Sequence, residues 1–357
     1  MALADRVAAA LAAAERQADL DRVRSAVLGL RHRYLQAEAV IDFFADAVAT
    51  RTNPRVAAIL RGLDALAVDS MERALRPLGI ETPPALCYLD KGAGASLLRA
   101  GARRWDASLS PVAAVKITRH NLPQPSSLVH ETGHQVSHLT GWTAELGDAL
   151  YATLAPASTL AAETWRGWAS EVAADVYAFV LLGYGPVAPL ATVVDGSTAA
   201  VFRMPFGDPH PLAWLRVLFN VALCRSWYGA GPWDRLAAAW THRHHLDDAP
   251  PDVAAVAAAS LPRPPALVDA CTRAPMHAFG GAALSSIVDP RRVAPAQLEE
   301  LAQRAGPSLY TSQYLQRVEA MRILAWLVLR AADADEPGTS METWLHRLGT
   351  EHTVTAA

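Results

Sequence analysis

Cysteine is scarce in this sequence of 357 residues. The three that occur, Cys87, Cys224 and Cys271, are far apart, odd in number and form no CxxC pair. This spacing excludes both a disulfide framework and a cysteine-ligated zinc site. A chain without such features is expected in a reducing compartment, and we predict a cytoplasmic location.

An excess of positive charge is also absent. The chain carries 32 Lys and Arg against 35 Asp and Glu, for a formal net charge of -3. With this balance there is no general attraction to a polyanion. Nucleic acid is therefore not an expected partner.

Long apolar runs are missing as well, since no stretch offers the roughly 20 clean apolar residues of a membrane span. The most apolar stretches, 176–194 and 211–224, are interrupted by Pro and Gly or by Arg216 and Asn220. The first 20 residues lack the apolar region of a secretory signal, because charges recur at Asp5, Arg6, Glu15, Arg16 and Asp19. We predict neither an integral membrane span nor export.

What the sequence does have is helical periodicity, in a chain that is 52% hydrophobic but only 7% aromatic. Apolar residues recur at helical spacing over 5–50 and 56–75, with a break at Asn53-Pro54. Short strands are predicted at 85–89 and 112–118, around a turn at 92–94. The predicted fold class is mostly α (α+β) with a small antiparallel sheet.

Composition and turn signals divide the chain into three regions. We predict an N-terminal helical region over 1–78, a core over 79–240 and a C-terminal helical region over 241–357. The residues that carry chemistry all fall in the core.

The most informative motif is HExxH, which occurs as His130-Glu131-Thr132-Gly133-His134 in a predicted helix over 127–139 that ends before Gly141. Residues four apart lie on one face of a helix, so both imidazoles can bind one zinc ion. Glu131 is rotated by one position and can reach water at that metal as a general base. The alternative is a helix with two ordinary polar histidines.

A catalytic zinc needs a third protein ligand. The metzincin pattern is excluded, because Ser137 and Thr140 occupy the positions where it requires Gly and His. His138 lies about 6 Å of axial rise beyond His134, too far along a regular helix to share the ion. For His138, a structural role as a polar histidine at the edge of the core is therefore favoured over that of a ligand.

Glu171 is the better candidate, on a predicted second helix over 169–182 that ends before Gly183. Glu171 and Asp175 are four apart and share a face. One carboxylate can bind zinc while the other accepts a hydrogen bond from the outer nitrogen of a ligand histidine, which we expect to be His130. The alternative is a solvated acidic stripe, although two carboxylates in an otherwise apolar helix need a cation or donors.

A third element follows at Asp208-Pro-His210-Pro, with Arg216 six residues after the histidine. His210 could donate a hydrogen bond to a developing oxyanion, and Arg216 could orient a carboxylate or the substrate backbone. Structural roles for both residues are the alternative.

The order of these motifs resembles the soluble catalytic core of the CAAX prenyl protease and HtpX family of gluzincin metallopeptidases. The resemblance covers about residues 85–218 and implies a zincin-like core with an HExxH helix and an ExxxD helix. It implies that zinc (Zn²⁺) is bound by His130, His134 and Glu171. It also implies that Glu131 is the general base and that His210 donates to the oxyanion. Arg216 matches the family's Arg after the His-Pro pair, and 86–121 resembles the small sheet whose edge strand binds an extended substrate.

We therefore predict a zinc-dependent metallopeptidase that hydrolyses a peptide or protein substrate, with Glu131 as general base. Two alternatives stay open. One is a zinc-dependent hydrolase of a non-peptide amide or another small molecule, because fold and metal do not fix the substrate. The other is an autoinhibited or non-catalytic zinc-binding interaction protein, against which the retention of Glu131 argues.

Overall fold

The computed structural model of the protein describes residues 2–91, 95–102, 109–122, 124–331 and 339–355, and is mostly helical with a small mixed sheet. The N-terminal part contains α1 (Ala2–Ala12), α2 (Gln17–Ala49), α3 (Pro54–Leu75), β1 (Ala85–Leu89), β2 (Ser96–Leu98) and β3 (Ala113–Ile117). The middle part contains α4 (Ser126–Thr140), α5 (Trp142–Leu154), α6 (Thr159–Gly167), α7 (Ala169–Leu182), α8 (Val187–Val194), α9 (Thr198–Val201), α10 (Ala213–Tyr228) and α11 (Pro232–Arg243). The last part contains α12 (Pro251–Ser260), α13 (Pro264–Thr272), β4 (Pro275–Met276), β5 (Ala282–Ala283), α14 (Leu284–Ile287), α15 (Pro295–Ala305), α16 (Gln313–Val318), α17 (Ala320–Ala331) and α18 (Thr339–Thr355).

Both helices predicted to carry the site are present, α4 and α7, with bounds within a residue of the prediction. Gly141 ends α4 in the left-handed region at φ 74°, where glycine has no steric penalty. The predicted helix over 5–50 is divided into α1 and α2, and no helix in the described ranges is long and apolar enough to cross a bilayer.

The sheet differs from the prediction, because it is mixed rather than antiparallel. Its strand order is β1-β3-β2, with β1 parallel and β2 antiparallel to β3. β3 is the central strand, with β1 on one side and β2 on the other. The chain therefore reverses direction between β2 and β3, whereas β1 and β3 are joined by a crossover that includes β2. The sequence analysis missed the three-residue β2, and the turn predicted at 92–94 lies outside the described residues.

Helix α3 supports α4 from behind, and α18 in turn packs on α3. Thr132 of α4 shares a hydrogen bond with Ser70 of α3, both buried. The α3–α18 crossing is close because it is made by glycines: a Cβ on Gly62 would lie 2.5 Å from the carbonyl oxygen of Leu345, and one on Gly349 would overlap Ala58. One continuous hydrophobic core extends from α3 to α18.

Candidate metal centre

The centre is built where α4 crosses α7, and Gly133 sets how closely the two helices approach. A Cβ at Gly133 would lie 2.9 Å from the Cβ of Tyr177 and 3.0 Å from the Cα of Ala174. Any larger residue would push the helices apart. This glycine inside HExxH therefore brings the histidines of α4 within reach of Glu171 on α7.

Three side chains converge on one point between these helices. The Nε2 atom of His134 lies 3.2 Å from Oε1 of Glu171, and Nε2 of His130 lies 3.5 Å from Oε2. Neighbouring donors of a tetrahedral zinc with bonds of about 2.0–2.1 Å lie roughly 3.3–3.4 Å apart, so the two His–Glu distances and the donor types are compatible with a bound metal ion. Among the described residues, His130, His134 and Glu171 are the one group of three metal-ligating side chains this close together, within 4.8 Å.

The outer nitrogens of both histidines are held from behind. Nδ1 of His130 lies 2.9 Å from Oδ1 of Asp175, and Nδ1 of His134 lies 3.3 Å from Oγ of Ser170. Because Nδ1 is engaged in each ring, Nε2 is the nitrogen that faces Glu171. Such partners fix ring orientation and increase ligand basicity.

Arg216 of α10 lies behind the carboxylates rather than in the cleft. Its Nε donates to Oδ2 of Asp175 at 2.7 Å, and one terminal nitrogen donates to Oδ1 of Asp175 at 2.8 Å and to Oε2 of Glu171 at 3.1 Å. Arg216 was expected to orient either a carboxylate or the substrate backbone, and these contacts match the first role. All three residues are buried, so their charges are compensated within the protein.

Burial and ion pairing oppose each other in this network. Burial favours neutral carboxyl groups, but the hydrogen bonds and charges of His130, His134 and Arg216 outweigh it and lower the pKa of Glu171. The pKa of Asp175 is lowered in the same way, mainly by Arg216. Burial likewise disfavours a charged imidazole, yet the hydrogen bonds to Asp175 and Glu171 raise the pKa of His130 to about 9.

Glu131, beside the two histidines, is buried and forms none of the ligand contacts described above. Burial raises its pKa, and the positive charges of His130, His134 and Lys116 partly oppose this shift. A carboxylate whose pKa is moved towards neutrality suits a general base. Lys116 belongs to β3, which packs on α4, so its charge acts on Glu131 from the sheet.

His210 lies at the mouth of the site, with 63% of its side chain exposed. Its Nε2 is 4.0 Å from Oε1 of Glu171, and its Nδ1 is 2.7 Å from Oδ1 of Asp208. Asp208 also accepts a hydrogen bond from the backbone N–H of His210. The loop therefore holds the ring with Nε2 directed towards the three candidate ligands.

The structure brings together every residue that the sequence analysis selected, and it adds three supporting side chains. Asn220 donates to Oδ2 of Asp175 at 3.2 Å. Ser170 orients His134, and Asp208 orients His210. Asn220 is four residues after Arg216, on the same face of α10, which is the signal that could have identified it.

Compared with known proteins, the chain matches no family model, no curated protein and no solved structure.

Proposed function

We propose that this chain is a zinc-dependent peptidase of the gluzincin type, as its resemblance to the CAAX prenyl protease and HtpX family implies. One observation carries the proposal. His130, His134 and Glu171 converge with the donor types and spacing of a catalytic zinc site, and Glu131 lies buried beside them. Three protein ligands leave a fourth position for water or substrate, whereas a structural zinc site is closed by four.

In this proposal, a bound zinc supplies Lewis acidity, which polarises the peptide carbonyl and makes water a nucleophile near neutral pH. Glu131 accepts the proton of the attacking water and then transfers it to the departing amine. Because Nδ1–H of His210 donates to Asp208, Nε2 donates a hydrogen bond to the carbonyl oxygen in the imidazolium form of the ring, as negative charge develops on that oxygen. Asp175 and Arg216 keep the ligand side chains oriented throughout.

The sheet supports a peptide as substrate. One edge, β1, is closed at Cys87, whose N–H donates to Asp64 and whose C=O accepts from Arg51. The other edge is β2, where Ser96 pairs with Lys116, the residue whose charge acts on Glu131. An extended peptide added to β2 would form a further strand at this edge of the sheet, as in strand-addition recognition.

The end of β2 is also attached to the HExxH helix. The side chain of Gln135 accepts a hydrogen bond from the N–H of Ala100 at 2.8 Å and donates to its C=O at 3.4 Å. Gln135 follows His134 directly in α4, so the segment after the edge strand is hydrogen-bonded to the helix that carries two candidate ligands. This arrangement favours the peptidase over hydrolysis of a small molecule.

The positions of α3 and α18 argue against a site covered by either of these two helices. Thr132, which contacts α3, is two residues from both His130 and His134, so it points to the opposite side of α4. Helix α18 packs on α3 and so lies further behind. Neither helix covers the face that carries the candidate ligands.

The test is a peptide library incubated with zinc-loaded wild-type protein and with Glu131→Gln. We expect cleavage by the wild type and no detectable cleavage by the variant, while both contain one zinc per chain by elemental analysis, because Glu131 is not a ligand. Glu163→Gln is the matched control, since Glu163 is exposed on α6. A zinc-loaded wild type that cuts no peptide, or a Glu131→Gln variant that cuts as well as wild type, would refute the proposal.

A further inference from the structure

Helix α2 carries a stripe of large apolar residues at every seventh position, and the stripe is open to solvent. Heptad spacing keeps residues along one face of a helix. The exposed fractions of its five side chains are 43% for Leu20, 43% for Val27, 63% for Tyr34, 66% for Ile41 and 57% for Val48. The stripe extends about 42 Å at 1.5 Å of rise per residue.

A neighbouring line of residues on the same helix is buried or half-buried by other parts of the chain. Three residues after the stripe positions, Val23 is buried, and Leu30, Ala37 and Phe44 are half-buried. The line four residues after the stripe positions is instead exposed, and it carries Arg24, Arg31 and Glu38. The apolar stripe therefore lies on the open surface of α2 next to this charged line, and that open surface also includes Leu28 and Leu35.

Charge divides α2 into two halves. The N-terminal half, residues 17–33, has four Arg against two Asp and a net charge of +2, and its Arg24, Arg31 and Arg33 form no ion pair within the described part of the chain. The C-terminal half is acidic at Glu38, Asp42 and Asp46. Two copies of α2 in antiparallel orientation would set the basic half of each against the acidic half of the other, whereas a parallel pair would oppose like charges along the open face.

We propose that α2 is the interface of a homodimer, in which two copies of the chain pair their apolar stripes in antiparallel orientation. A two-fold axis at Tyr34 would pair Leu20 with Val48 and Val27 with Ile41, and would bring Arg31 near Glu38 of the second copy. The interface is isologous, so one surface serves both copies. Helix α2 contacts β1 near its C-terminal end, where Phe43 meets Tyr88, so the sheets of the two copies would lie near opposite ends of the pair.

The experiment measures the mass of the full chain by sedimentation from about 1 to 100 µM, a range that covers moderate dimer affinities. We expect a species of twice 38.2 kDa that dissociates on dilution. Tyr34→Asp should be monomeric throughout. Leu28→Asp is the matched control, because Leu28 is 55% exposed on the same helix but about 100° away from the stripe, and it should remain dimeric.

Charge exchange tests the partner's identity. Arg31→Glu should weaken dimerisation by about tenfold, and adding Glu38→Arg should restore it, because both contacts of the pair are then re-formed in reverse. Circular dichroism and thermal melting of each variant establish that α2 is still folded. A purely intrahelical role for these charges would leave the dimerisation constant unchanged and would overturn the proposal.

Cross-linking tests the orientation. Tyr34→Cys should form a disulfide between copies, and Leu20→Cys should do so only when mixed with Val48→Cys. The three native cysteines are buried and do not interfere. A wild type that is monomeric at 100 µM would overturn the proposal, and so would a Leu20→Cys variant that cross-links to itself. A monomer whose stripe binds lipid vesicles would overturn it as well.

Discussion

Asp175 Oδ1 lies 2.9 Å from His130 Nδ1, on the side of the imidazole opposite to the nitrogen that faces Glu171. This contact links α7 to α4 behind the candidate metal site. The Asp175 carboxylate is itself fixed by two hydrogen bonds from Arg216. The ring of His130 is thus oriented by the protein alone.

Asp175→Asn should weaken zinc binding by about 10- to 100-fold without abolishing it, because the amide supports the imidazole less well than a carboxylate. Competition with a chromophoric chelator measures the affinity. Asp247→Asn, at an exposed position, should bind zinc like wild type. Equal affinities for both variants and the wild type would show that the contact contributes nothing to metal binding.

Zinc affinity should rise with pH. The pKa of His130 is raised to about 9, so below that pH the imidazole of the empty site holds a proton that zinc must displace. Release of one proton per zinc corresponds to about a tenfold gain in affinity per pH unit, up to about pH 9. Titrations at pH 6, 7 and 8 measure the slope, and calorimetry in two buffers counts the protons. In Asp175→Asn, the slope between pH 7 and 8 should be smaller, since the hydrogen bond that raises the pKa of His130 is lost.

Arg216→Met should reduce the free energy of unfolding by about 3–5 kcal/mol, because two buried carboxylates lose their cation. Arg225→Met is the comparison, since the ion pair of Arg225 with Asp234 is exposed and should contribute less than about 1 kcal/mol. Urea unfolding of the metal-free proteins measures both. Similar losses in the two variants would contradict the assigned role of Arg216.

Gly133→Ala should destabilise the fold by about 1–3 kcal/mol and lower zinc affinity, because the new methyl group separates α4 from α7. Gly29→Ala should instead stabilise the protein by about 0.5–1 kcal/mol, since Gly29 is in the middle of a helix with nothing within 4 Å of an added Cβ. Thermal melting and chelator competition test both effects. A neutral Gly133→Ala would mean that the two helices can part without cost.

Under the proposed function, His210→Phe should lower kcat by about 100- to 1,000-fold with little change in KM or zinc content, because the lost hydrogen bond would act only as charge develops on the oxyanion. His242→Phe, at an exposed site on α11, should leave kcat unchanged. Steady-state kinetics on a peptide cleaved by the wild type separates the two constants. A change in KM alone would assign His210 to substrate binding.

Local patterns in the sequence predicted α4 and α7 well, because HExxH, the apolar periodicity and the terminal glycines all act within a few residues. The parallel pairing of β1 with β3 was not predictable in this way, since it depends on a crossover between segments that the local pattern does not connect. The position of Arg216 behind Glu171 required the packing of α10 on α7. The heptad on α2 is visible in the sequence, but only the structure distinguishes its exposed line from the line that the chain covers.

The close crossing of α3 with α18 has a consequence for biosynthesis. Nε of Arg61 donates to the carbonyl oxygen of Gly349 at 3.0 Å, across 288 residues of chain. Translation proceeds at about 5–20 residues per second, so α18 is synthesised roughly 15 to 60 seconds after the α3 surface that it covers. During that interval, the helix that supports the HExxH segment exposes an apolar flank to chaperones and proteases. A nascent chain released before α18 would therefore be recognised as incomplete, although it already contains every residue of the candidate metal centre.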